Sequence, residues 1–205
     1  MTGLFITFEG GDGTGKSTQS ALLGEWFTAQ GREVVFTREP GGTDFGNEIR
    51  EIVLHSRGHI APRAEALLYA ADRAHHIATV VRPALARGAV VIQDRYLDSS
   101  VAYQGAGRVL DPNEVRNLSM WATEGLVPDI TVVLDLDPAI GRDRLDAANK
   151  QFDRLEAEAL DFHTRVRDAY LEMAEAEPER FLVVDATLDR DVIRDTITAR
   201  LGELS

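Results

Sequence analysis

The run Gly10-Gly11-Asp12-Gly13-Thr14-Gly15-Lys16-Ser17 fits G-x-x-x-x-G-K-[ST], the pattern of a loop that wraps phosphate. Such a loop works only in one setting. A strand must deliver it, and a helix must begin where it ends. Leu4-Phe5-Ile6-Thr7-Phe8 is a short apolar run that reads as a buried strand. From Ser17 a helical pattern follows, with apolar positions at Leu22, Leu23, Trp26 and Phe27. The glycines let backbone N–H groups turn inward on phosphate oxygens, and the helix N-terminus adds partial positive charge. Residues Gly10, Gly11, Asp12, Gly13, Thr14, Gly15, Lys16, Ser17 and Thr18 are therefore expected to bind a nucleotide. Lys16 would reach the β- and γ-phosphates and the Ser17 hydroxyl would ligand Mg²⁺. No G-x-G-x-x-G frame fits the loop, so a dinucleotide-binding reading fails.

Downstream, apolar runs alternate with helical patterns. Glu33-Val34-Val35-Phe36-Thr37 reads as a second strand, Ala89 to Asp94 as a third, Ile130 to Leu134 as a fourth and Phe181 to Val184 as a fifth. Helices are expected over Phe45–Leu54, with Phe45, Ile49, Ile52 and Val53 on one side, over Pro62–Ala86, after Pro138, over Glu156–Glu175 and over Asp189–Leu201. The pattern predicts an α/β fold of the P-loop NTPase type. It has three layers, α/β/α, around a roughly five-stranded parallel sheet. It reads as one domain over residues 1–205, with neither linker nor repeat.

Ligands in such sheets sit beyond the carboxyl ends of the strands. That places Arg38 and Glu39, at the start of the Pro40-Gly41-Gly42-Thr43 turn, beside the phosphate loop. Asp94 ends the third strand and has the form of a Walker B carboxylate for Mg²⁺. Asp135, at the end of the fourth, has the same form, so the assignment is open. Arg95 follows at once and suits phosphate binding. Tyr69 and Arg73 are spaced i, i+4 and share a helix face, where a ring and a guanidinium can meet a planar base. Ser99, Ser100, Tyr103 and Gln104 form a polar cluster suited to a base edge. His75 and His76 read as helix surface, since nothing pairs them with a third metal-binding group. Asp146 to Arg154 is polar and poor in apolar anchors. With Arg142 and Arg144 before it, it makes a lid segment at about 142–156.

Composition narrows the class. A net charge of −12 argues against a nucleic-acid surface. The absence of cysteine excludes a disulfide framework and thiolate metal sites. No apolar run is long enough to span a membrane and no basic-then-apolar leader opens the chain, so a cytoplasmic protein is expected. There are two lysines, Lys16 and Lys150; the remaining positive charge is arginine.

Taken in order, four motifs resemble the bacterial thymidylate kinase family. They are Phe8-Glu9-Gly10 through Ser17, Thr37 through Thr43, Leu68-Tyr69-Ala70-Ala71-Asp72-Arg73, and Asp94-Arg95-Tyr96 running to Ala102-Tyr103-Gln104-Gly105. The resemblance spans almost the whole chain. It implies transfer of the γ-phosphoryl of ATP to dTMP, Mg²⁺ as cofactor, and a homodimer. It also implies roles. Asp12 would contact the 3′-hydroxyl side of dTMP, and Arg38 and Arg95 would hold the acceptor phosphate. Glu39 and Arg50 would line the dTMP site. Tyr69 would stack on thymine, where the family often has phenylalanine. Arg73, Ser100 and Gln104 would hydrogen-bond the base or its surroundings, and Tyr103 would pack by the deoxyribose. Family members without a basic residue at the position of Thr14 usually supply an arginine from the lid. Here Lys150 or Arg154 is left for that task. Two other readings stay open: a kinase for another pyrimidine nucleotide or a deoxynucleoside, and a GTPase switch. The switch would need N-K-x-D, and Asn149-Lys150-Gln151-Phe152-Asp153 places the aspartate one residue late.

Overall fold

The computed structural model describes residues 2–56, 58–108, 110–148 and 152–203. Five parallel strands form one sheet: β1 Leu4–Glu9, β2 Val34–Arg38, β3 Val90–Asp94, β4 Ile130–Asp135 and β5 Phe181–Asp185, in the order β2-β3-β1-β4-β5. The helices are α1 Lys16–Ala29, α2 Asp44–His55, α3 Pro62–His76, α4 Arg82–Ala86, α5 Leu97–Ser100, α6 Pro112–Ala122, α7 Pro138–Ala147, α8 Leu160–Ala176 and α9 Arg190–Gly202.

The three central strands, β1, β3 and β4, are buried on both faces because helices cover both. On one side Ile6, Phe8, Val90, Ile92, Val132 and Leu134 pack on Leu23 and Phe27 of α1 and on Ile193 and Ile197 of α9. On the other, Phe5 and Val91 meet Ile77, Val81, Ala84 and Tyr96, while Val133 and Phe181 meet Phe162, Val166 and Tyr170 of α8. The three-layer expectation therefore holds. Register brings the chemistry together: Arg38 pairs with Asp94 across β2 and β3, and Phe8 pairs with Asp94 across β1 and β3. The ends of the three strands that carry Arg38, Glu9 and Asp94 thus lie side by side.

Several expectations are corrected. The helix predicted over Pro62–Ala86 is interrupted by π-turns at Ile77–Val81 before α4 resumes it. Pro83 has no N–H to give the carbonyl four residues back, and its ring crowds that carbonyl; a wider turn relieves both. The helix expected from Glu156 starts at Leu160, because the Asp153 side chain caps Leu155 N and Glu156 N, each at 2.9 Å, and turns the chain there. Helix α6 was missed, although Asp111 accepts from Asn113 N and Pro112 occupies the first turn. On α2, Ile49 and Val53 are buried as expected, but Phe45 and Ile52 are exposed. Among the described residues, no helix is long and apolar enough to cross a membrane.

Candidate active site

The phosphate loop is wedged between β4 and α7. Gly10 sits at φ +122° and Gly13 at φ +77°, both left-handed. A Cβ on Gly10 would lie 2.5 Å from the Leu134 carbonyl oxygen, and one on Gly13 2.5 Å from that of Gly141. Side chains are excluded at these two positions by backbone on the far side, so the loop cannot relax to admit them. Within the loop, Thr14 Oγ1 donates to the Gly11 carbonyl at 3.0 Å. Lys16 Nζ folds back on the Gly11 and Gly10 carbonyls at 2.7 and 3.3 Å. Burial, with Arg95 nearby, lowers the lysine pKa.

A cavity of about 460 Å³ opens beyond the loop. Gly13 through Thr18 border it on one side. Every residue expected to hold the acceptor borders it as well: Asp12, Arg38, Glu39, Arg50, Tyr69, Arg73, Arg95, Ser100, Tyr103 and Gln104. Gly10 and Gly11 face a smaller pocket next to it. Arg38 is exposed at the end of β2, whereas Arg50 is half-buried and donates to the Pro40 carbonyl at 2.9 Å. Arg95 follows β3 in the left-handed region, at φ +65°. Its guanidinium reaches Asp12 Oδ1 at 2.7 Å and the Gly10 carbonyl at 3.1 Å, and it stands 5.0 Å over the Tyr103 ring.

The two strand-end carboxylates differ. Asp135 is bound in a fork by Arg167, at 2.6 and 2.8 Å. Asp94 keeps Oδ1 buried with no hydrogen-bond partner, and it borders the cavity with Ser17. An orphaned carboxylate oxygen beside a phosphate loop and its serine hydroxyl suits a hard divalent cation. Among the described residues no cluster of three His, Asp or Glu side chains could hold a metal alone. Such an ion would need phosphate oxygens or water to complete its shell.

The lid was expected to supply a cation, Lys150 or Arg154. Lys150 lies outside the described residues. Arg154 does not border the cavity; its Nε donates to the Val53 carbonyl at 2.8 Å and its terminal nitrogen to Glu65 Oε2.

Behind the acceptor side lies a buried polar cluster that the sequence reading underestimated. Arg73 is only 1 % exposed; it donates through Nε to Glu39 Oε2 at 2.7 Å, to Ser119 Oγ at 3.1 Å and to the Tyr96 carbonyl at 3.0 Å. His76, expected on the surface, is fully buried. Its Nδ1 lies 2.9 Å from Glu39 Oε1 and its Nε2 2.5 Å from Thr37 Oγ1. Asp72 accepts from Gly41 N, and burial beside Glu39 pushes its carboxyl up to about 7. The missed signal was spacing: Asp72 and His76 are i, i+4 neighbours flanking Arg73.

Glu9 was also missed. It ends β1 just before the loop and accepts from Tyr96 N at 2.7 Å, Ser99 Oγ at 2.5 Å and Tyr170 OH at 2.7 Å. A charged residue closing an otherwise apolar strand was the available clue.

A phosphate loop at the centre of a parallel sheet, faced across a nucleotide-sized cavity by arginines from two other strand ends, defines a phosphotransferase site of the P-loop type. A family model described as Thymidylate kinase matches residues 8–197. The chain is 75 % identical over 200 residues to the thymidylate kinase of Clavibacter sepedonicus, covering 98 % of this chain and 95 % of that one. It is 54 % identical over 209 residues to that of Bifidobacterium longum strain DJO10A, covering both chains in full. The crystal structure of thymidylate kinase from Ehrlichia chaffeensis superposes with a TM-score of 0.80 at 31 % identity, covering 98 % of this chain and 99 % of that one. The chain belongs to the thymidylate kinase family.

Proposed function

We propose that the protein moves the γ-phosphoryl of ATP directly to dTMP, giving dTDP and ADP, at the cavity bounded by Lys16 and Arg95. An oxygen of the dTMP phosphate attacks the γ-phosphorus in line, the bond to the β–γ bridging oxygen breaks, and ADP leaves with that oxygen. No covalent enzyme intermediate forms and no strong base is needed, because the acceptor is already an anion. The obstacle is bringing two polyanions together. Lys16 meets it from the donor side; Arg38 and Arg95 meet it from the acceptor side and stabilise charge on the transferring oxygens. Ser17 and Asp94 would hold Mg²⁺, which neutralises phosphate charge when bound.

On the acceptor side, Asp12 takes the 3′-hydroxyl and Glu39 and Arg50 shape the site. Tyr69 stacks on the base, Tyr103 packs by the deoxyribose, and Ser100 and Gln104 meet the base edge. Arg73 serves the same edge and is anchored by three hydrogen bonds of its own. The chain acts as one domain, with residues 142–156 as a lid that supplies a further cation, Lys150 or Arg154. Exposed Ile52 on α2, Leu67 on α3 and Trp121 on α6 lie on helices that pack in series, which supports a homodimer. The net charge of −12 supports the absence of a nucleic-acid partner. The cytoplasm, where ATP and nucleotides are available, is the expected location.

The observation that carries this reading is convergence. Arg38 and Arg95, from separate strand ends, border the same cavity as the phosphate loop. The test is ADP release in a coupled assay with Mg·ATP and dTMP, dUMP, UMP, dCMP or thymidine. Strong turnover with dTMP, weak turnover with dUMP and none with thymidine is expected. Turnover without preference for dTMP would overturn the base assignments.

A further inference from the structure

Glu65 lies in the first turn of α3 with its side chain 1 % exposed. Its carboxylate is shared between two parts of the site. Oε1 accepts from Gln104 Nε2 at 2.9 Å, and Oε2 accepts from Arg154. Arg108 stands 3.8 Å from Oε1 and is itself held by Glu158 at 2.6 Å. Contacts with Gln104 and Arg108 at Oε1 and with Arg154 at Oε2, together with burial, hold the carboxylate in place.

This matters for Gln104. A carboxylate only accepts hydrogen bonds, whereas an amide has one donating and one accepting end. Gln104 must therefore turn its NH₂ toward Glu65. The carbonyl end has no hydrogen bond to any described residue, yet it is not among the fully buried unpartnered oxygens. Gln104 as a whole is 2 % exposed and borders the cavity; with its NH₂ committed to Glu65, the oxygen is the end left to meet a ligand there.

We propose that Glu65 is a positioning residue that sets base specificity. By fixing the Gln104 amide with its oxygen toward the cavity, it selects bases with an N–H at ring position 3 and refuses those with a lone pair there. Thymine and uracil carry that N–H; cytosine carries the lone pair. This rests on the proposal that the acceptor base lies against Gln104. A buried acceptor facing another acceptor discriminates strongly, because both groups lose water and gain nothing.

The test compares kcat/KM for dTMP and dCMP in wild type, Glu65→Gln, Glu65→Asp and Gln104→Leu. Glu65→Gln keeps the volume but offers Gln104 either end of an amide, so Gln104 is free to turn over. Glu65→Asp keeps the charge for Arg154 and withdraws the oxygen from Gln104; it serves where the glutamine variant fails to fold. Each is expected to raise KM for dTMP and to lower the dTMP-to-dCMP ratio by about tenfold or more. A purely structural role for Glu65 would lower both activities together and leave the ratio at its wild-type value, which overturns the inference. Gln104→Leu separates the two claims. If it raises KM for dTMP while the Glu65 variants keep the ratio, the base site stands and the role of Glu65 falls. If it leaves KM unchanged, the placement of the base itself is wrong.

Discussion

Arg95 and Asp12 form an ion pair across the mouth of the phosphate loop, 2.7 Å from guanidinium to carboxylate, with both side chains largely but not fully buried. The pair joins β3 to the loop that follows β1, and the Arg95 backbone reinforces it by donating to the Phe8 carbonyl at 3.0 Å. The guanidinium is thus fixed at the cavity wall by a carboxylate and a carbonyl; in the proposed reaction it would exchange these for a phosphate. Preorganised charge of this kind costs little reorganisation at the moment of transfer.

Arg95→Met should therefore lower kcat by roughly a thousandfold, the scale of arginines that meet transferring phosphoryl groups. It should also raise KM for dTMP and leave KM for ATP within a few fold. Arg95→Lys should recover little, because an ammonium cannot reproduce the fork. Steady-state kinetics with each substrate varied in turn decides it. Unchanged kcat/KM for both substrates in the methionine variant would mean that Arg95 only braces the loop.

Most of the fold was legible because its signals are local. A phosphate loop needs a strand before it and a helix after it, and alternating apolar runs and helical periods fill in the remaining layers. That Arg38, Glu39, Asp94 and Arg95 border one cavity was legible because parallel sheets place ligands at strand ends. What stayed hidden depends on partners far apart in the chain. His76 reads as surface until Glu39 and Thr37 arrive from β2 and its following turn. Glu9 reads as the end of a strand until Tyr170 comes in from α8. The choice between Asp94 and Asp135 was undecidable from pattern, since both end apolar strands. Arg167, on a helix about thirty residues further along, occupies one of them. The π-turns ahead of Pro83 show the same limit, because a proline inside a helical period marks a break without fixing its form.

Glu9 carries a measurable pH signature. Burial, with Asp98 next in effect, pushes its carboxyl up from 4.5 to about 7, against the opposing hydrogen bonds from Ser99 and Tyr170 and the charge of Arg95. Between those two values the folded chain holds a proton that the unfolded chain has released. Stability from this group is therefore lost as pH rises from about 4.5 toward 7, with a slope of at most about 1.4 kcal/mol per pH unit. Asp72, raised from 3.8 to about 7 by burial and by Glu39, acts in the same direction. Glu9→Gln removes the first contribution and leaves the second. Urea unfolding at several pH values between 5 and 7.5 should show wild type losing ground to Glu9→Gln as pH rises. Parallel curves would mean that Glu9 titrates alike in both states.

Arg73 and Glu39 brace one wall of the cavity from behind. Arg73 and Glu39 are each 2 % exposed at the side chain, and the carboxylate also meets His76. An ion pair so deep adds little by existing, since both charges have lost their water. Removing Arg73 is another matter, because the buried Glu39 carboxylate then loses its guanidinium and keeps only the His76 ring, at about 3–5 kcal/mol. Arg73→Met should cost that much in urea unfolding and lower the melting temperature by roughly ten degrees for a chain of this size. Arg73→Lys should cost nearly as much, because three separate acceptors, Glu39, Ser119 and the Tyr96 carbonyl, cannot be met by one ammonium on a single stem. Adding Glu39→Gln to Arg73→Met should return part of the loss, so the double variant would be more stable than the sum of the singles predicts. Strict additivity would show that the two side chains contribute independently, and the acceptor wall would then owe its rigidity to the apolar packing around Tyr69 and Tyr103.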